Sequence, residues 1–174
     1  MDDYLCTSSF EAQMEYAILK LVHIGALIFW LGPALGAWLV LQAIKNENIG
    51  PVTAKVDHVF FLMVTLEHVA FIVLLLTGFS MAFLAGWFTS PWLQQKLLVV
   101  GLVIVPLEIV DIFLGNWLAA KASKSVHLGI ASAQQLRWLA LYHGPFTKLA
   151  LLTIPVSAVI VMYLAVSKTP LLSL

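Results

Sequence analysis

Residues 59–86 read VFFLMVTLEHVAFIVLLLTGFSMAFLAG, an apolar run with Glu67 and His68 side by side about a third of the way along. A helix needs roughly 20 apolar residues to cross a bilayer, and this run exceeds that. An ionisable side chain in hydrocarbon costs on the order of 3 kcal/mol or more. Glu67 and His68 therefore have to face a partner, a cofactor or water. The rest of the chain has to supply whatever they face.

The chain has 174 residues, of which 61% are hydrophobic and 10% charged. Soluble domains carry about 25% charged residues, so this apolar excess has to meet lipid. Zero net charge excludes the basic surface that nucleic-acid binding requires. The single cysteine, Cys6, can form neither an internal disulfide nor a zinc knuckle. The acidic start, MDDYLCTSSFEAQMEY, lacks the positive charge of a signal peptide, so the first apolar segment is expected to be retained.

Outward from residues 59–86, three more spans follow from length and hydropathy. The expected set is 16–44, 59–86, 93–120 and 138–166, in one transmembrane domain covering 1–174. The expected fold class is all-α, an integral membrane four-helix bundle. In the first span, His23, Trp30 and Ala37 recur at sevens and share a face. Gly32 and Gly36 suit close approach by another helix, and Pro33 is expected to kink the span. In the third, Gly101, Glu108 and Gly115 recur at sevens, and Pro106 should bend the helix beside Glu108. Trp87 and Trp92 mark a membrane–water boundary. The polar stretches KNENIGPVTAKVDH, with its Gly50-Pro51 turn signal, and KASKSVHLGIASAQQLR read as loops, with His58 and His127 solvated.

Those two longer loops hold Lys45, Lys55, Lys121, Lys124 and Arg137. The positive-inside rule then puts both termini on the same, periplasmic side of a bacterial inner membrane. Depth along the spans sorts the polar residues into two layers. Glu67, His68, Glu108, Asp111, His143 and Lys148 fall in the cytoplasmic half, and His23 with Lys96 in the outer half.

The inner layer admits three readings. It is a salt-bridge lattice with Lys148 pairing the acids, a divalent transition-metal site of Glu67, His68, Glu108, Asp111 and His143, or a proton or ion path. His68 and His143 are also candidate axial ligands of a haem, as is His23 in the outer half. No phosphate-cradling loop, nucleophile elbow or His-Glu-x-x-His motif occurs, so any reaction would use a cofactor.

The stretch HIGALIFW, His23 to Trp30, resembles the His-x6-Trp of the first helix in HemJ-like and CopD-like membrane proteins. Trp92-Leu-Gln-Gln-Lys96-Leu-Leu-Val-Val is similar to the third helix of the HemJ-like group. Tyr142-His143-Gly144-Pro145 and Lys168-x-Pro170 resemble its last part. The nearest likeness is to a branch of predicted integral membrane proteins of unknown function. Where HemJ-like chains have Tyr-His in the third helix, this one has Pro106-Leu107-Glu108. The resemblance implies a small helical bundle holding haem b, with His23 and Lys96 at the polar positions of the first and third helices.

Together these readings lead to a multi-pass inner-membrane protein binding haem b or a transition metal, for electron transfer or metal handling. Its expected partners are the lipid bilayer and either a second copy or a membrane redox protein. The competing expectations are a non-enzymatic accessory subunit and a proton-coupled permease.

Overall fold

The computed structural model describes residues 2–43 and 51–172, and every regular element among them is helical. Four long helices account for the chain. Helix α1 is Asp2–Ala43 and α2 is Pro51–Leu84. Helix α3 spans Pro91–His127 and α4 spans Ala133–Ser167. Each contains a stretch long and apolar enough to cross a membrane. Lys45, Asn48 and Gly50 of the first connection lie outside the described residues.

The packing is inverted relative to a soluble bundle. Large apolar side chains point outward, Val166 being 85% exposed, while small residues such as Ala119, Ala122 and Ala158 fill the contacts between helices. Without a hydrophobic drive between helices in lipid, close approach over small residues is what holds a bundle together. Three buried clusters stack along the axis. Phe60, Val64, Leu114 and Tyr142 lie toward one end. Trp30, Phe71, Ile104 and Ala158 occupy the middle. Ala82, Trp92, Leu93 and Leu164 close the other end. At that end Trp87 meets Trp92 edge to face at 5.4 Å, and the Lys168 ammonium lies 4.6 Å above the Trp87 ring.

Helices α2 and α3 reach further than hydropathy implies. Helix α2 starts at Pro51, eight residues before the apolar run, and α3 continues to His127 through polar sequence. The second connection shrinks to a turn at Leu128 and Gly129, which takes φ +70°. Ser132 then opens α4 with a capping box. Its hydroxyl accepts from the Gln135 N–H at 3.3 Å, and the Gln135 side chain accepts from the Ser132 N–H at 2.8 Å. His127 is not solvated. Its Nε2 lies 2.9 Å from Asp57 Oδ2, which also accepts from the Ser123 hydroxyl at 2.6 Å.

The proline positions resolve in two ways. Helix α1 runs on through Pro33. In α3, the residues before Pro106 widen into a π-helical stretch, Val100–Ile104, and the Val105 N–H reaches back to the Val100 carbonyl. Pro106 cannot donate to a carbonyl four residues back, and the wider turn accommodates that loss. A second such stretch, Ile112–Ala119, follows. A third, Tyr142–Phe146, contains Pro145 in α4.

These π turns overturn one expectation. Each adds a residue to its turn, so a seven-residue spacing drifts off one face. Gly101 is exposed, and Ile104 takes its place on the buried face beside Glu108 and Gly115. The Gly32–Gly36 pair also receives no helix among the described residues. A side chain built at either glycine would meet nothing within 4 Å.

Candidate functional site

The polar residues gather around two cavities, with Trp30 in the wall of both. Its ring tilts against Phe71 at 5.3 Å, and the residue is 4% exposed.

The first cavity, about 250 Å³, is apolar apart from His23 and Lys96. Helix α1 carries His23, and α2 receives it where Gly78 offers no side chain. A Cβ there would sit 3.1 Å from His23 Cε1. Next to that glycine, Thr77 Oγ1 lies 2.9 Å from His23 Nδ1. The Thr77 hydroxyl donates its one hydrogen to the Val73 carbonyl at 2.7 Å. A hydroxyl so committed presents a lone pair to His23, an arrangement that suits the tautomer with the proton on Nδ1. Lys96, from α3, lines the same cavity and joins no ion pair among the described residues.

The second cavity, about 130 Å³, is lined by Glu67, Glu108, Asp111, Tyr142 and Thr147 among apolar side chains. The Trp30 indole N–H donates to Glu108 Oε1 at 2.7 Å, joining α1 to α3. Tyr142, from α4, brings its ring and hydroxyl to the same wall. The ring of Tyr142 lies flat over Gly115, where a Cβ would come within 2.7 Å of its hydroxyl oxygen. The Thr147 hydroxyl donates to the Tyr142 carbonyl at 2.5 Å.

His68 stands behind this wall. Its Nε2 lies 3.7 Å from Glu108 Oε2 and 3.6 Å from Asp111 Oδ2, while Asn116 Nδ2 lies 3.1 Å from its Nδ1. Separations of 3.6–3.7 Å are too long for hydrogen bonds. Four buried atoms here have no hydrogen-bond partner among the described residues: Glu67 Oε1, His68 Nε2, Asp111 Oδ1 and Asn116 Oδ1.

The inner layer of the sequence is thus brought together only in part. Glu67, Glu108 and Asp111 share a cavity, with His68 against two of them. His143 packs its ring against Phe60 at 5.4 Å and over Phe61 at 6.0 Å. Lys148 is exposed and joins no ion pair among the described residues, so the expected lattice of acids around it is not formed. Trp30 and Asn116 supply polar contacts in its stead. Among the described residues, no three histidine, cysteine or acidic side chains converge closely enough to hold a metal ion.

Sequence reasoning missed Thr77, Asn116 and Gln95. Gln95 clamps the C-terminal segment, accepting from the Leu171 N–H at 2.7 Å and donating to the Leu172 carbonyl at 2.5 Å. A polar residue inside an apolar run was the available signal for Thr77 and Asn116, while Gln95 stands in the polar stretch Gln94-Gln95-Lys96. No protein-family model, no curated protein and no solved structure matches this chain.

Proposed function

We propose a multi-pass protein of the bacterial inner membrane, both termini periplasmic, that holds haem b at His23, or else a transition metal, for electron transfer or metal handling. One observation carries this reading. Thr77, with its hydrogen on the Val73 carbonyl, favours the His23 tautomer protonated on Nδ1, and His23 lines an otherwise apolar cavity with Nε2 as its remaining acceptor. Histidines that bind metals are oriented in this way, the second ring nitrogen donating to a fixed acceptor. Lys96 in the same cavity is placed to meet an anionic substituent such as a propionate. At about 250 Å³ the cavity is below the roughly 300–1,000 Å³ of ordinary small-molecule sites, so a haem would displace its rim. Phe79, Met162 and Val166 are exposed there and are the side chains with room to give way.

The test is an absorption spectrum and elemental analysis of protein purified from haem-replete cells. A Soret band or stoichiometric metal, lost or shifted in His23→Ala, supports the reading. A colourless, metal-free protein sinks it and leaves the accessory-subunit alternative. The orientation is tested separately. A reporter fused at Ser125 should read as cytoplasmic, and one after Leu174 as periplasmic.

A further inference from the structure

The cavity beside Glu67 has an imbalance that the proposed cofactor at His23 does not address. Three carboxyl groups, from two helices, line a space of about 130 Å³. Among the described residues no lysine or arginine lines it, and His68 stands outside, 3.6–3.7 Å from Asp111 and Glu108. Among the described residues, Glu108 has one side-chain donor, the Trp30 indole N–H. Glu67 is only 9% exposed, yet its Oε1 has no partner, and neither has Asp111 Oδ1. Burying a carboxylate without a partner is strongly unfavourable, so an oxygen-lined cavity with unused acceptors calls for a cation.

The spacing narrows the class of cation. Among the described residues, no three of these groups converge as ligands of a bare ion would. At about 30 Å³ per water, the space admits roughly four water-sized bodies. Magnesium-type ions lose water reluctantly and are held through one or two carboxylates with several waters retained. Carboxyl, phenol and hydroxyl oxygens also suit hard ions over thiophilic ones. We propose that the cavity among the four helices binds one partly hydrated, oxygen-preferring divalent cation through the carboxyl groups of Glu67 and Asp111. His68, held by Asn116, backs the carboxylates from outside the cavity as a positioning residue.

The experiment uses the full chain in detergent, stripped with chelator, and Mn²⁺ as a paramagnetic stand-in read by electron paramagnetic resonance. About one Mn²⁺ per chain should bind, and excess Mg²⁺ should displace it. Glu67→Gln should weaken binding at least tenfold while the protein still unfolds cooperatively on heating. Asp111→Asn, at a less buried position, is the second variant should Glu67→Gln fail to fold. His23→Ala should leave Mn²⁺ binding unchanged, so that loss of the haem reading and loss of this one are told apart. Folded wild type that leaves Mn²⁺ free overturns the proposal, because the carboxyls are then neutralised by protons. Wild-type affinity in both carboxyl variants overturns it too, because the ion is then bound elsewhere.

Discussion

The two cavities share a wall and differ in everything else. The His23 cavity is roomy and apolar, with its one histidine fixed by a threonine on the neighbouring helix. The Glu67 cavity is about half that size and has three carboxyls with too few donors. Trp30 separates them, its ring facing the apolar space and its N–H serving Glu108. The lesson is that one aromatic side chain keeps a fixed imidazole and a set of buried acids apart within one small bundle. Were the two spaces continuous, the acids would draw His23 into their own hydrogen bonding.

The change expected to break this arrangement most severely is Gly115→Val. Tyr142 lies where the new Cβ would stand, 2.7 Å from its hydroxyl oxygen. Overpacking of this kind costs about 1–3 kcal/mol, and a rigid ring against a branched side chain puts it at the upper end. Reversible unfolding in mixed micelles measures it. An unchanged midpoint would mean that Tyr142 does not lie over α3 and that the carboxyl cavity lacks that wall.

Trp30→Phe keeps an aromatic ring, smaller than the indole, and removes the donor. Glu108 Oε1 would then be buried without a partner, at about 1–3 kcal/mol. Adding Glu108→Met in that background removes the stranded acceptor and should recover part of the loss. The same unfolding assay reads both. Failure of the second change to recover anything would show that Trp30 acts through packing on Phe71 alone.

How much of this was legible is itself unequal between the two cavities. Spans, candidate polar residues and the inward face of Trp30 follow from hydropathy and sevenfold spacing, because lipid penalises each exception heavily. The position of Gly101 was not legible. Spacing rules assume an unbroken α-helix, and the π turn before Pro106 shifts the register. Lys148 misled for a related reason. Counting charges by depth treats every inward-half residue as a neighbour, while helix rotation decides which of them meet. The extension of α3 and the tight second turn were written in Ser132-x-x-Gln135, a capping box set inside a stretch that composition alone marks as loop. Thr77 is legible only afterwards, since its meaning depends on where α1 places His23.

Thr77→Val sharpens the apolar side of the comparison. It should cost about 1 kcal/mol for the lost hydrogen bond. Its more telling effect is on the imidazole. Nitrogen magnetic resonance of labelled histidine should find the His23 proton on Nδ1 in the wild type and shared between both nitrogens in the variant. A wild type already mixed would remove the observation on which the His23 reading rests.

The smallest expected effect separates the structure from the charge count. If Lys148 neutralised Glu67, Glu108 or Asp111, its replacement by methionine would strand a buried carboxylate and cost several kcal/mol. The structure puts Lys148 on an exposed face with no acidic partner among the described residues. Surface substitutions away from special contacts change stability by about 0.5 kcal/mol or less. Lys148→Met should therefore leave the unfolding midpoint unchanged or raise it slightly, since an apolar side chain suits an outward face in lipid. Mn²⁺ affinity should also stay as it was, because the cavity acids never drew on that lysine. A large destabilisation would mean that α4 is rotated to bring Lys148 inward, supplying the Glu67 cavity with the counter-charge that it lacks here.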